Sequence, residues 1–224
     1  KNTFERKNAR LNISHNVTEK LIFGANVTYS SSDAFAPNSG SLAGTSFNTG
    51  GLGRVPLVTA PNIPAFLPDG SYNINTTGGL ANSPGNLLNK DRRGFYNPVV
   101  LLDLDKATAQ TDRFLSNIYA TYNFTKNLSF RTDYGIDNQT VDSRTFNNPI
   151  HGDGFAAKGI AANYLYKSTR WTWQNYLNYN QKFAEKHTVG ATIGTEQQYT
   201  KRNMWSASRQ TVADPFFNTY EGDY

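Results

Sequence analysis

The chain has 224 residues, no cysteine, 22 Lys and Arg against 17 Asp and Glu, and a hydrophobic share of 38%, with a mean hydropathy of -0.59. Its longest unbroken aliphatic stretch is Val99-Val100-Leu101-Leu102, against roughly 20 residues for a membrane helix, so a helical membrane protein is excluded. The lack of cysteine excludes a disulfide framework, a thiolate zinc site and a cysteine nucleophile, and the length allows one large domain.

The chain enters its first element at once. Lys1-Asn2-Thr3-Phe4-Glu5-Arg6 runs into an alternating segment with no initiator Met and no basic region followed by an apolar one, as expected of an internal segment of a longer protein. Ala9, Leu11 and Ile13 then alternate with Arg10, Asn12 and Ser14. After Thr18-Glu19-Lys20, Leu21, Phe23, Ala25, Val27 and Tyr29 alternate with Gly24, Asn26, Thr28 and Ser30. A period of two puts alternate side chains on opposite faces of a strand, so each strand has one apolar and one polar face.

The same module recurs twice. Ile118, Ala120, Tyr122 and Phe124 alternate with Asn117, Thr121 and Asn123. The turn Thr125-Lys126-Asn127 comes next, and then Leu128, Phe130, Tyr134 and Ile136 alternate with Arg131, Asp133 and Asp137. In the third copy Trp171, Trp173, Leu177, Tyr179 and Phe183 alternate with Thr172, Gln174, Asn178 and Asn180. The turn Ala184-Glu185-Lys186 leads to Val189, Ala191 and Ile193. Three-residue turns thus join the strands of each pair, whereas long Pro- and Gly-punctuated connections separate the pairs. These connections are expected at about residues 31–112, at 139–169, and from about Tyr199 onward. Within the first, Pro68-Asp69-Gly70 reads as a turn with Pro at its first corner.

A soluble sheet with one buried face would also alternate. Three features favour a membrane barrel. The alternating segments reach about 10 to 13 residues, close to the 9 to 11 of a tilted membrane-crossing strand and well beyond the roughly 5 to 6 of soluble strands. Aromatic residues such as Tyr29, Tyr122, Phe124, Trp171 and Trp173 stand near strand ends on the apolar face, where an interfacial girdle belongs. The polar face is Asn-, Thr-, Ser- and Gly-rich with single charges, which suits a hydrated lumen. The expected fold is therefore all-β: about six strands of a transmembrane antiparallel β-barrel, with long extracellular loops. Six strands cannot close a lumen, since the smallest barrels use about eight. On this assignment Leu11, Phe23, Ile118, Phe130, Leu177 and Ile193 face lipid, while Arg10, Asn26, Arg131, Asp133 and Asn178 face the lumen.

Catalytic constellations are missing from the sequence. His15, His151 and His187 are far apart and are read as solvated residues of turns and loops, and Asp103 and Asp105 supply only two carboxylates toward a calcium site. No Walker loop, nucleophile elbow or dinucleotide fingerprint occurs, so no enzyme and no cofactor are expected. Arg10, Arg54, Arg92, Arg93, Arg131, Lys167 and Arg202 are scattered along the chain, which argues against a nucleic-acid partner. A soluble carbohydrate-binding module, with Trp171, Trp173 and Tyr179 as a sugar-stacking platform, is the alternative reading.

Several segments in order carry a family resemblance: Phe4-Glu5-Arg6-Lys7-Asn8-Ala9-Arg10-Leu11-Asn12, the Pro-rich stretch from Pro61 to Tyr72, Asn97-Pro98-Val99-Val100-Leu101-Leu102, and residues 114–122 running on to 128–135. The chain resembles the middle of a SusC/RagA-like TonB-dependent outer-membrane transporter. That resemblance implies that residues 1–224 are part of a barrel of about 22 strands blocked by a plug, the plug and the remaining strands lying outside this segment. It further implies a cell outer membrane location in a Gram-negative bacterium, energy delivered by TonB, and a SusD-like surface lipoprotein as lid. The substrate would be an oligosaccharide or a peptide, with Phe66, Tyr72, Arg92, Arg93, Phe95 and Tyr96 as loop contacts to substrate or lid.

Overall fold

A computed structural model of the chain describes residues 3–35, 63–76, 78–80 and 96–212. Six strands, β1 (Thr3–Asn16), β2 (Leu21–Phe35), β3 (Lys106–Asn123), β4 (Leu128–Asn147), β5 (Ile160–Phe183) and β6 (His187–Gln210), form one antiparallel sheet in chain order. Each strand pairs with its sequence neighbour, and no ladder slips: β4 and β5, for example, run in register from Leu128↔Tyr179 to Asn147↔Ile160.

Because the register is unbroken, alternation along each strand becomes two continuous faces across the sheet. One transverse row reads Ile13, Ala25, Ile118, Tyr134, Trp173 and Gln197, and the next Leu11, Val27, Ser116, Ile136, Trp171 and Tyr199. On the other face, Asn12, Asn26, Asn117, Gly135, Thr172 and Gln198 stand in line. The apolar face has no protein layer over it among the described residues: Leu11 is 56% exposed, Ile118 42% and Ile193 74%. An apolar area of that extent left open to water would be a liability in a soluble protein. Tyr134, Trp171 and Tyr199 stack in a ladder across β4, β5 and β6, with successive ring centroids 6.1 Å apart.

The strands are longer than alternation predicts. They reach 14, 15, 18, 20, 24 and 24 residues, so residues 139–147 and 160–169 are strand, as are Tyr199 to Gln210, all of which the sequence reads as loop. The reason is chemical: a period of two in hydrophobicity reports only strands with one apolar face, whereas both faces are polar in Ser30-Ser31-Ser32-Asp33 of β2 and both carry apolar residues in Ile160-Ala161-Ala162-Asn163-Tyr164-Leu165-Tyr166 of β5.

Two of the three turns also hold one residue more than expected, spanning 17–20 and 124–127. They are built alike. The Val17 and Thr18 amides both donate to the Leu21 carbonyl, and the Thr18 hydroxyl accepts from the Lys20 and Leu21 amides. Phe124, Thr125, Asn127 and Leu128 repeat the arrangement. The third turn keeps its expected length, with Ala184 (φ 45°) and Glu185 (φ 57°) both left-handed.

Candidate functional site

At the end of the sheet away from these turns, the described parts of the two long connections fold against each other. A helix that alternation does not signal, α1 (Pro98–Leu104), comes after Asn97, whose side chain accepts from the Val99 amide as its cap. Pro98 at the helix start is favourable because its missing N–H would be unpaired there anyway. The fully buried Asn97 side chain also donates to the Ala65 carbonyl at 2.7 Å, tying α1 to a small hairpin. That hairpin closes on Phe66↔Tyr72 around the expected turn, the Gly70 amide donating to the Leu67 carbonyl at 2.9 Å.

A second Asn-Pro pair does the matching work. Asn148 Oδ1 accepts from the Ile150 and His151 amides, while its own amide and Nδ2 donate to Asp105 Oδ1 at 2.8 and 2.6 Å. His151 is wholly buried and its Nε2 accepts from the Asn97 amide at 2.6 Å. This overturns the reading of His151 as a solvated residue: the proton must sit on Nδ1, and burial depresses the imidazole pKa to about 4. Burial likewise lifts Asp105 to about 6, against the lowering effect of its bonds from Asn148. Asp103 instead accepts from the Tyr72 hydroxyl at 3.0 Å, so the Asp-x-Asp pair points to different partners. Among the described residues no cluster of three or more His, Cys, Asp or Glu could hold a metal. Gly154 is required by close packing, since a Cβ there would lie 2.2 Å from the Asn148 carbonyl oxygen.

Of the six expected loop contacts, the hairpin brings Phe66 and Tyr72 together, their rings stacked at 5.5 Å, with Phe66 46% exposed. Tyr96 is turned inward instead. Its hydroxyl donates to Asp153 at 2.9 Å, its ring meets His151 edge-on, and burial together with the Asp153 hydrogen bond pushes its phenol above the usual range. Arg92, Arg93 and Phe95 lie outside the described residues, as does 213–224 of the connection expected from about Tyr199 onward.

On the sheet itself, Leu11, Phe23, Ile118, Phe130, Leu177 and Ile193 share the apolar face, and Arg10, Asn26, Arg131, Asp133 and Asn178 the polar one. Arg131 grips Asp133 with two bonds of 2.8 and 2.9 Å, and the Tyr176 hydroxyl adds a third to that carboxylate at 2.7 Å. The guanidinium lies 4.0 Å over the Tyr119 ring, and Tyr119 in turn covers Gly24, where any Cβ would collide with it. Arg113 holds Asp137 in the same bidentate way, at 2.8 Å for both bonds. Arg10, Arg113, Arg131, Arg170 and Arg202, scattered in the sequence, are thus gathered by the register onto one face, while Arg144 and Arg209 fall on the other, a division that spacing along the chain does not reveal.

No protein-family model matches the chain. It is 27% identical over 177 residues to the TonB-dependent receptor P3 of Formosa agariphila, an alignment covering 76% of this chain and 16% of that receptor. In fold it is similar to a chain of the RagAB peptide importer in its closed-closed state, with TM-score 0.71, 18% identity, and coverage of 99% of this chain and 23% of that one. The open-open state of the same importer gives TM-score 0.69 over 99% of this chain and 23% of the importer chain, also at 18% identity. The chain therefore spans less than a quarter of the length of each protein it resembles.

Proposed function

We propose that this chain, a barrel-wall segment of a TonB-dependent transporter, serves in an active importer of oligosaccharides or peptides in the outer membrane of a Gram-negative bacterium. Energy arrives through TonB, which engages regions outside residues 1–224, and a SusD-like surface lipoprotein lids the mouth. The face of Leu11, Phe23, Ile118, Phe130, Leu177 and Ile193 meets lipid. The face of Arg10, Asn26, Arg131, Asp133 and Asn178 lines the lumen. No step in this reading is an enzymatic one.

The observation that carries the proposal is the uncovered apolar face in unbroken register, bounded by minimal turns at one end and a built loop assembly at the other. A barrel keeps its periplasmic turns short and places its long segments outside, where ligands arrive. The turns at 17–20, 124–127 and 184–186 are accordingly periplasmic, and the assembly around Phe66, Tyr72 and α1 is extracellular. An epitope inserted at Gly70 of the full-length protein should bind antibody on whole cells, and one at Lys126 only after the outer membrane is opened. The reverse pattern would overturn the orientation and, with it, the placing of Phe66 and Tyr72 toward substrate or lid.

A further inference from the structure

Three consecutive rows of the polar face, in the half nearer the loop assembly, carry five arginines and one carboxylate. Arg10 stands in register with Thr28, Leu115, Asp137, Arg170 and Thr200; the next row holds Arg113 and Arg202, and the third Arg6. Asp137 is held by the bidentate Arg113 and also faces Arg170 across the β4–β5 pair. Arg6 is steadied through Nε by neutral partners, Asn8 and Ser30, and Arg10 by Thr28 at 3.4 Å. At the same height the opposite face mixes signs, with Lys7, Lys167 and Lys201 among Glu5, Asp33, Asp112 and Asp142. Within these three rows the polar face carries no lysine but only arginine, the side chain whose planar fork matches a carboxylate.

A shallow depression opens in the middle of this face, lined by Leu115, Asn117, Gly135, Asp137, Arg170 and Thr172. Gly135 forms its floor, yet nothing in the backbone demands glycine there: an added Cβ would find its nearest neighbour, the Ser116 carbonyl oxygen, at 3.8 Å. Glycine weakens a strand interior, so the missing side chain leaves room that this strand gains nothing from.

We propose that this face is a recognition track for a carboxylate-bearing chain, whose anionic groups meet Arg10, Arg170 and Arg202 while its body crosses the depression over Gly135. The inference rests on the lumenal assignment above and goes beyond it by naming the chemical class of the molecule that passes. A surface of one sign in a confined path concentrates the opposite sign and speeds its capture. Repeated carboxylates occur both in acidic peptides and in uronic-acid oligosaccharides, and the test separates them.

The full-length transporter is titrated calorimetrically with two probe pairs: a hexagalacturonic acid and its methyl ester, and a glutamate-rich peptide and its glutamine counterpart. In at least one pair the anionic member should bind at least about tenfold tighter than the neutral one, which corresponds to about 1.4 kcal/mol. The preference should shrink several-fold in R170Q and vanish in the combined R10Q, R170Q and R202Q protein. Lysine at the same three positions, which keeps the charge and loses the fork, should keep only part of it, and heat-modifiable gel migration reports that each barrel is folded. Equal binding of both members, no binding of any probe, or a preference that survives in the triple glutamine variant overturns the proposal. A cysteine at Asn117 that proves unreactive to a lumenal thiol reagent, with one at Ile118 reactive, would instead overturn the lumenal assignment.

Discussion

The buried pair His151 and Asp105 sets opposing pH dependences within one loop assembly. The His151 pKa is depressed from 6.5 to about 4, so the unfolded assembly binds more protons than the folded one between those values. Its contribution is complete above pH 6.5 and is lost as pH falls through 4. Asp105 is raised from 3.8 to about 6, so its contribution is complete below 3.8 and is lost as pH rises through 6. Each is worth on the order of 3 kcal/mol at most, and across pH 4 to 6 they largely cancel. His151→Gln should therefore leave the assembly more stable at pH 5 than at pH 7, and Asp105→Asn should do the opposite. Amide exchange at 148–158, corrected for intrinsic rate, measures both, and the same slope in the two variants would contradict the assignment. Little of this was legible in the sequence. Asn97-Pro98 and Asn148-Pro149 are the visible signal, since a residue before proline is held extended and its amide side chain is free to cap the next turn of backbone. Which imidazole these caps would enclose depends on contacts between residues some fifty positions apart in the chain, 97 and 151.

At the scale of elements, the parts of the strands with one apolar face could be read from Leu11, Ile118 or Leu177 and their neighbours, because a face without a protein layer still needs alternate apolar residues. Their extensions could not, since neither polar ladders such as Ser31↔Asp112 nor a stretch apolar on both faces such as 160–166 carries a one-faced hydrophobic period. The turns divide similarly. Thr18 and Thr125 hold their turns by side-chain acceptance, whereas the third turn places Ala184 and Glu185 where a Cβ costs roughly 1 kcal/mol or more per residue. Replacing Ala184-Glu185 by Asn-Gly, the pair suited to two successive left-handed residues, should raise the urea midpoint of the folded barrel, by about 1–2 kcal/mol of stability. An unchanged midpoint would mean the strain is absent in the assembled protein.

For the whole molecule, the two faces make a single-residue shift decisive. Arg at Ile118 should destabilise the inserted barrel by about 2–4 kcal/mol, whereas Arg at the adjacent Asn117 should cost far less. Reversible unfolding into liposomes provides the comparison, and equal costs would dissolve the two-faced assignment. The meander also has one uneven seam. Two hairpins close over turns of four residues, 17–20 and 124–127, but β2 meets β3 only after residues 36–105 have been bridged. Chain entropy makes that closure about 2–3 kcal/mol costlier than a four-residue one. On closure entropy alone, the hairpins should form before the β2–β3 zipper joins them, and a half-built wall should open at that seam first.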